Sequence, residues 1–569
     1  MNSLDLSVLV VYFLMMLVIG VLFNRSGTDT RSFFAAGGEV PWWISGLSLY
    51  MSFFSAGVFV VWGSIAYQQG LVAIAIQWTM CIAGFVVAFW IAPRWKRANI
   101  LTAAEYIGER FGTPLQQVYI YLFMIIGIIV AGAVLYPVAR MLEVATDLSL
   151  FWSILLLGGI IILYTALGGL WAVLVTDVLQ FVILTATVVL TVPLSLMEVG
   201  GLSGFLDKLP DTHRSLTSSE YTPLFMVSFI LVHIFKIGGD WTYIQRFTSV
   251  RNEAAARRTG LLFGGLYILS PVFWMIPPMA YFILNGTLDK QGAETAYIQM
   301  CQRVLPVGML GMMLAAMVSA TASSANTILN MCAAVFTNDL YRKLIRPDSS
   351  DRSLMRIARL STVGFGILMI VIADSVPRIG GVVALVFSIN ALTYVPLLAP
   401  PVWALFSSRL DRRGMYLSIG GGLLVNLFFK FVTPSWMGLS LNRTEETVIG
   451  LIVTPLILIA YEWIKYKSST FEGTWCPAAT PLSSLEPETR GSSMTTNSYG
   501  IRVVAWTFMC TGLGFTILSI LTTAHHWYVA FLGAGILLLG AAILRFNLKQ
   551  HKQHQTSENY ESSKSAPVN

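Results

Sequence analysis

The densest hydroxyl cluster within the apolar spans is Ser319, Thr321, Ser323 and Ser324, inside the run AAMVSATASSAN. On its own this cluster reads as a helix-packing face, because membrane helices favour small hydroxyl residues where they touch. A second source of oxygen changes that reading. The stretch Met51 to Gly63, MSFFSAGVFVVWG, is too apolar for a soluble loop, yet Ser52, Ser55, Gly57 and Gly63 make it a poor continuous helix. It predicts a membrane helix that breaks half-way. An unwound backbone survives in a bilayer only where protein buries it or where it lines a cavity, and its freed carbonyls then become cation ligands. Beside such a break, a cluster of hydroxyls suits a hard, weakly held monovalent ion.

Ionisable groups inside apolar segments are costly in lipid, so each needs a reason. Asp177 starts one apolar span and reads either as an interfacial carboxylate or as a cation-site or gating acid. Lys236 and Asp240 lie four residues apart, a spacing that lets them neutralise each other on a helix, and the pair is expected to be structural. Gly238-Gly239 between them suggests another local break, and His233 reads as a satisfied core histidine. The six histidines show no metal-ligand spacing with acids, and no nucleophile elbow or phosphate loop is present, so an enzyme is not expected. The five cysteines are scattered and read as small core residues.

The elements that would hold these groups are membrane spans. The chain has 569 residues, 56% hydrophobic and 11% charged, and its apolar runs are long enough to cross a hydrocarbon core of roughly 30 Å. Hydropathy predicts fifteen spans, from 4–23 to 527–544. An N-terminus outside and a C-terminus inside place 27 of the 36 Lys and Arg in inner loops, the bias that encodes topology, so the net charge of +7 calls for no nucleic acid. The expected organisation is a first peripheral helix and inner loop over 1–41, a core over 42–406 and two peripheral helices over 407–465. A polar inner loop follows over 466–500, then two further helices over 501–548 and a disordered cytoplasmic tail over 549–569.

Several separated motifs then point to one family. Phe33-Phe34-Ala35-Ala36-Gly37-Gly38 precedes Pro41-Trp42-Trp43; Tyr164 to Gln180 carries a glycine pair, Thr176-Asp177 and Gln180; Tyr243-Ile244-Gln245-Arg246 and Phe336-Thr337-Asn338-Asp339-Leu340-Tyr341 complete the set. Together they resemble the sodium:solute symporter family, which includes the sodium/glucose cotransporters, and the match runs from about residue 4 to 464. The resemblance implies an all-α polytopic membrane protein with a five-plus-five inverted-repeat core of 42–197 and 222–406. It implies sodium-coupled symport of a small organic solute by alternating access. Sodium would be the coupling ion with no other cofactor, the partners a small solute and the lipid bilayer, and the location the cell membrane.

Carried over position by position, the family's main sodium site would use the carbonyls of Met51, Phe54 and Ala316 and the hydroxyl of Ser319. The next position usually bears a second hydroxyl but is Ala320 here. That loss leaves open an ion-independent facilitator or channel on the same fold. Asp177 with Ser323 matches the place where some members hold a second ion. For the solute, the resemblance singles out Gly57, Val58, Gln77, Asp240 and Asn390, with Trp241 or Tyr243 as an aromatic inner gate. Val58 replaces a polar residue of sugar-binding members, so sugar recognition is not implied.

Overall fold

The computed structural model describes residues 2–23, 40–98, 100, 103–164, 170–346, 350–379, 381–437, 441–467, 487–521 and 526–564. The motif at 33–38 and the glycine pair Gly168-Gly169 lie outside the described residues. Among those described the architecture is helical, without a strand. The chain opens with α1 (Ser3–Phe23), then α2 (Trp42–Ser52), α3 (Gly63–Gln69), α4 (Val72–Arg97), α5 (Thr113–Thr146), α6 (Leu150–Tyr164) and α7 (Leu170–Glu198). A second run holds α8 (Pro223–Gly239), α9 (Trp241–Thr248), α10 (Glu253–Asn285), the short α11 (Lys290–Val304), α12 (Met309–Val335), α13 (Asp351–Ser375) and α14 (Gly381–Ala404). The peripheral helices are α15 (Arg412–Leu427), α16 (Arg443–Lys467), α17 (Pro487–Leu521) and α18 (His526–Lys564).

Eleven helices among the described residues are long and apolar enough to cross a bilayer, and α8 with α9 makes a bent twelfth. The apolar helices α1 and α6, and the interrupted pair α2–α3, stand where the other three of the fifteen expected spans fall, but they are not among the helices long and apolar enough to count. Each run of five crossings starts with a broken span. Because five is odd, the second run enters from the face opposite to the first, which is what makes the two halves inverted copies.

Local chemistry explains both breaks. At the end of α2, Phe53 and Phe54 donate their amides only three residues back, to Tyr50 and Met51, and the ladder stops. The Ser52 hydroxyl donates to the Ser48 carbonyl at 2.8 Å, the back-bonding that loosens a helix. Ser55 then accepts from the Gly57 amide at 3.2 Å, and the chain restarts through a π-helical turn, Val58–Trp62. In the second run α8 ends on Gly238-Gly239, and Asp240 caps α9 by accepting from the Thr242 amide at 2.9 Å. The two pieces meet at 59°. A Cβ on Gly239 would stand 2.7 Å from the Leu398 carbonyl oxygen, so α14 reaches this break only because the residue has no side chain.

Two polar stretches differ from the expectation drawn from composition. Within 466–500, α17 already begins at Pro487, because proline is well suited to a first helical turn, whose amides lack partners anyway; 468–486 lie outside the described residues. Within 549–569, α18 continues to Lys564 instead of ending in a disordered tail: its Lys, Gln and Glu are adequate helix formers and no Gly or Pro interrupts them.

The peripheral α1 packs on α12 of the core. Its buried Asp5 accepts from the amides of Gly308 and Gly311, at 2.7 and 3.1 Å, and so satisfies the first turn of α12 from a separate helix. Asp5→Ala strands two buried amides, at a cost of about 1–3 kcal/mol each. We expect a lower Tm for the detergent-purified variant in a thermal unfolding scan; an unchanged Tm would show that the cap contributes nothing.

Candidate functional site

The break after α2 and the hydroxyl face of α12 are in direct contact. The Ala56 amide, in the restarting turn, donates to the Thr321 hydroxyl at 3.3 Å, and Thr321 is fully buried. Two residues earlier on α12, about half a turn round the helix, Ser319 accepts from the Gln180 side-chain nitrogen of α7 at 2.9 Å. The other Gln180 amide atom, its oxygen, is buried without a partner. Met51, Phe54 and Ala316 are buried around this junction, with Phe54 packed against Trp274 at 4.0 Å between ring centres.

A buried charge network ties the same elements together. The Asp177 carboxylate of α7 accepts from the Ser48 hydroxyl of α2 at 2.6 Å and lies 3.6 Å from the Arg246 guanidinium of α9. Arg246 donates in turn to Ser48 at 3.2 Å, and its carbonyl accepts from Ser45 at 2.7 Å. Asp177 is 4% exposed, so it lies within the helix bundle and not on its surface. Its counter-charge is Arg246, and a second cation at Asp177 with Ser323 would have to compete with that guanidinium.

Beside the junction lies a cavity of about 270 Å³. Met51, Gly57, Val58, Asp177, Ser323, Asp240, Trp241 and Tyr243 all border it, so the fold gathers eight of the site residues singled out from sequence. Aromatic pairs stand at its edge: Phe53 stacks on Tyr243 at 4.1 Å and Phe123 on Trp241 at 4.5 Å. Gln77 is not among the lining residues; it is 3% exposed on α4 with its amide nitrogen unpartnered, because that face of α4 turns into the packing between helices. Asn390 opens a π-helical turn within α14, and its side chain falls outside the described residues.

Lys236 also departs from expectation. It forms no ion pair with Asp240; its ammonium instead faces the rings of Phe53 and Tyr394, 5.1 and 4.8 Å from their centres, and borders the cavity. The i,i+4 spacing brings charges together only on a continuous helix, and here the ladder ends at Gly239, with Asp240 turned to cap α9. His233 is the satisfied core residue expected. The Thr79 hydroxyl donates to the Ile76 carbonyl at 2.6 Å, so its oxygen accepts from His233 Nδ1 at 3.0 Å, which fixes the neutral tautomer.

Next to Val382, which lines the cavity, Glu294 of α11 accepts from the Tyr136 hydroxyl at 2.8 Å and from the Val382 amide at the start of α14. Burial pushes the Glu294 carboxyl above its ordinary range, against the pull of these hydrogen bonds and of Arg140.

Three functional contributors escaped the sequence reading as site residues. Thr321 stood in the hydroxyl cluster but was not separated from its neighbours. Gln180 is three residues after Asp177, on the same helical face, and Arg246 closes a recognised motif; that spacing was the available signal for both.

Two broken spans, a mid-membrane cavity between them and an oxygen-rich contact at one break define a secondary transporter of the inverted-repeat class. The model of the sodium:solute symporter family matches residues 33–422. A sodium/glucose cotransporter of Vibrio parahaemolyticus is 27% identical over 501 residues, covering 81% of this chain and 90% of that protein. Sodium/glucose cotransporter 1 of Ovis aries is 28% identical over 476 residues, covering 75% of this chain and 71% of that protein. Among solved structures, a Na+-coupled sialic acid symporter in a substrate-bound outward-open state superposes with a TM-score of 0.66 at 22% identity, over 81% of this chain and 98% of that one. A nucleobase-cation-symport-1 family transporter in a closed conformation gives 0.50 at 14% identity, over 84% and 100%. The chain belongs to the sodium:solute symporter family. It is an integral membrane transporter rather than an enzyme, and sodium is its coupling ion for a small solute.

Removing one partner of a buried ion pair leaves the other uncompensated, at a cost of about 3–5 kcal/mol. Arg246→Met is therefore expected to lower Tm sharply, and Arg246→Met with Asp177→Asn to recover part of the loss. Equal Tm values for the single and double variants in a thermal scan would show that the two charges are not coupled.

Proposed function

We propose that sodium binds where the break after α2 meets α12, at the carbonyls of Met51, Phe54 and Ala316 and the hydroxyl of Ser319. The observation that carries this reading is the 3.3 Å hydrogen bond from the Ala56 amide to Thr321, which holds a broken backbone against a hydroxyl face. The last carbonyls of a helix lack their usual i+4 partners; the Met51 carbonyl accepts only the Phe54 amide in place of one, which leaves its second lone pair for an ion. Ala320 withholds one hydroxyl, and the buried, unpartnered oxygen of Gln180, whose nitrogen already bonds Ser319, stands in for it. Oxygen ligands of this number and kind suit a weakly held monovalent ion.

The solute occupies the adjoining cavity, against Gly57, Val58, Asp240, Trp241 and Tyr243, with Asn390 on the π-turn of α14 as a further contact. The ion's ligands come from two bodies: the broken span on one side and α12 on the other. An ion held by both is bound tightly only when they are together, which is how its binding biases one arrangement of the bundle over another. We further read the protein as a resident of the cell membrane with its N-terminus outside and C-terminus inside, on the bias of Lys and Arg towards inner loops.

Sodium should stabilise the purified protein where potassium at equal ionic strength does not, by about 2.7 kcal/mol at a hundredfold excess over Kd. Ser319→Ala should weaken the apparent sodium affinity at least tenfold, about 1.4 kcal/mol. Thermal unfolding across a sodium titration measures both, and identical curves in sodium and potassium would reject the ion site.

A further inference from the structure

Lys236 is the cavity group that its surroundings leave least satisfied. An ammonium carries three donors. In this structure its contacts are two ring faces, Phe53 from the break after α2 and Tyr394 from α14, at 5.1 and 4.8 Å. Cation–π contacts orient such a group and offset part of its desolvation, but they accept none of its hydrogen bonds. Asp240 attracts Lys236 only from beyond ion-pair distance, and the acids nearby have partners of their own. Asp240 uses one carboxylate oxygen to cap α9 at Thr242, and Asp177 is held by Arg246 and Ser48.

We propose that the transported solute bears a carboxylate, and that Lys236 binds it. This rests on the reading of the cavity as the solute site. A charge taken out of water costs heavily unless it is paired and hydrogen-bonded, and a carboxylate entering the cavity supplies both at the one cation that lacks them. The solute carries a single negative charge, because Arg246, the other cation at the cavity, is already committed to Asp177, and the Asp240 carboxylate on the same wall repels any further anionic group. It is also small and partly apolar: the space is about 270 Å³, and Val58, Met80, Val134 and Val386 form much of its wall. Phe53 and Tyr394 flank the ammonium, so the carboxylate approaches along the ring edges and the remainder of the solute lies against the aromatic pairs.

The test uses the purified full-length protein in sodium chloride, with propionate, butyrate, benzoate and nicotinate each set beside its uncharged amide, and glucose as a neutral sugar. We expect at least one carboxylate to raise Tm, with its amide at least tenfold weaker. Lys236→Met should abolish the shift and Lys236→Arg should restore most of it, with elution as a single monodisperse species reporting that each variant is folded. The proposal is overturned if no carboxylate raises Tm, if amides or glucose act as strongly, or if Lys236→Met binds like the parent. Sodium-dependent stabilisation of the parent protein, recorded in the same series without solute, fails only if the ion-site reading fails, so the two errors are told apart.

Discussion

A bilayer interior has no water with which to satisfy a helix that stops, and the rest of this molecule is arranged around that constraint. The span begun by α2 ends in mid-membrane, and each exposed group of the break needs an oxygen or a donor from elsewhere. Thr321 on α12 meets the Ala56 amide, and Ser55 meets Gly57 within the turn. The second break is served in the same way: Asp240 caps α9, and the Trp95 indole donates to the Gly238 carbonyl at 2.7 Å. Proximity of four helices at one depth is thus enforced by hydrogen bonding before any solute is considered.

The same constraint fixes where charge can reside. Asp177 and Arg246 are both buried, and they survive there because each finds the other and both find Ser48. That triad joins α2, α7 and α9, so the first half of the first broken span and the second half of the other share one electrostatic joint. Lys236 has no comparable arrangement. Of the two cations that border the cavity, Arg246 is paired at 3.6 Å, whereas Lys236 meets ring faces and has Asp240 only beyond ion-pair distance.

Much of this was legible in the residues. Ser52, Ser55 and Gly57 locate the break to within a turn, since each weakens the helix by a known mechanism, and the run of apolar segments anticipates the helices long and apolar enough to cross. The hydroxyls at 319–324 were visible as a cluster, although only coordinates separate Thr321, which faces the break, from Ser324, which bonds back to Ala320 on its own helix. What could not be read was anything that depends on two distant elements meeting. Arg246 reaches Asp177 across 69 positions of sequence, and no local pattern announces that pairing. Lys236 and Asp240 misled because a spacing rule for continuous helices was applied across Gly238-Gly239. Gln77 misled because its side chain turns into helix packing, which hydropathy does not resolve. The helical ends of α17 and α18 escaped because polarity was taken for disorder.

The proposed sodium site gives these contacts a common purpose: the ion completes a junction that the break leaves short of ligands. Because its ligands belong to both the broken span and α12, occupancy is a statement about how far apart those helices are, and transport follows from that coupling. Thallium, a heavy monovalent cation, scatters anomalously, and diffraction from crystals grown in its presence locates the site without assuming any ligand. An anomalous peak between the carbonyls of Met51 and Phe54 and the hydroxyl of Ser319, weakened by competing sodium, is the expected result; a peak elsewhere in the bundle, or none at this junction, would contradict the account.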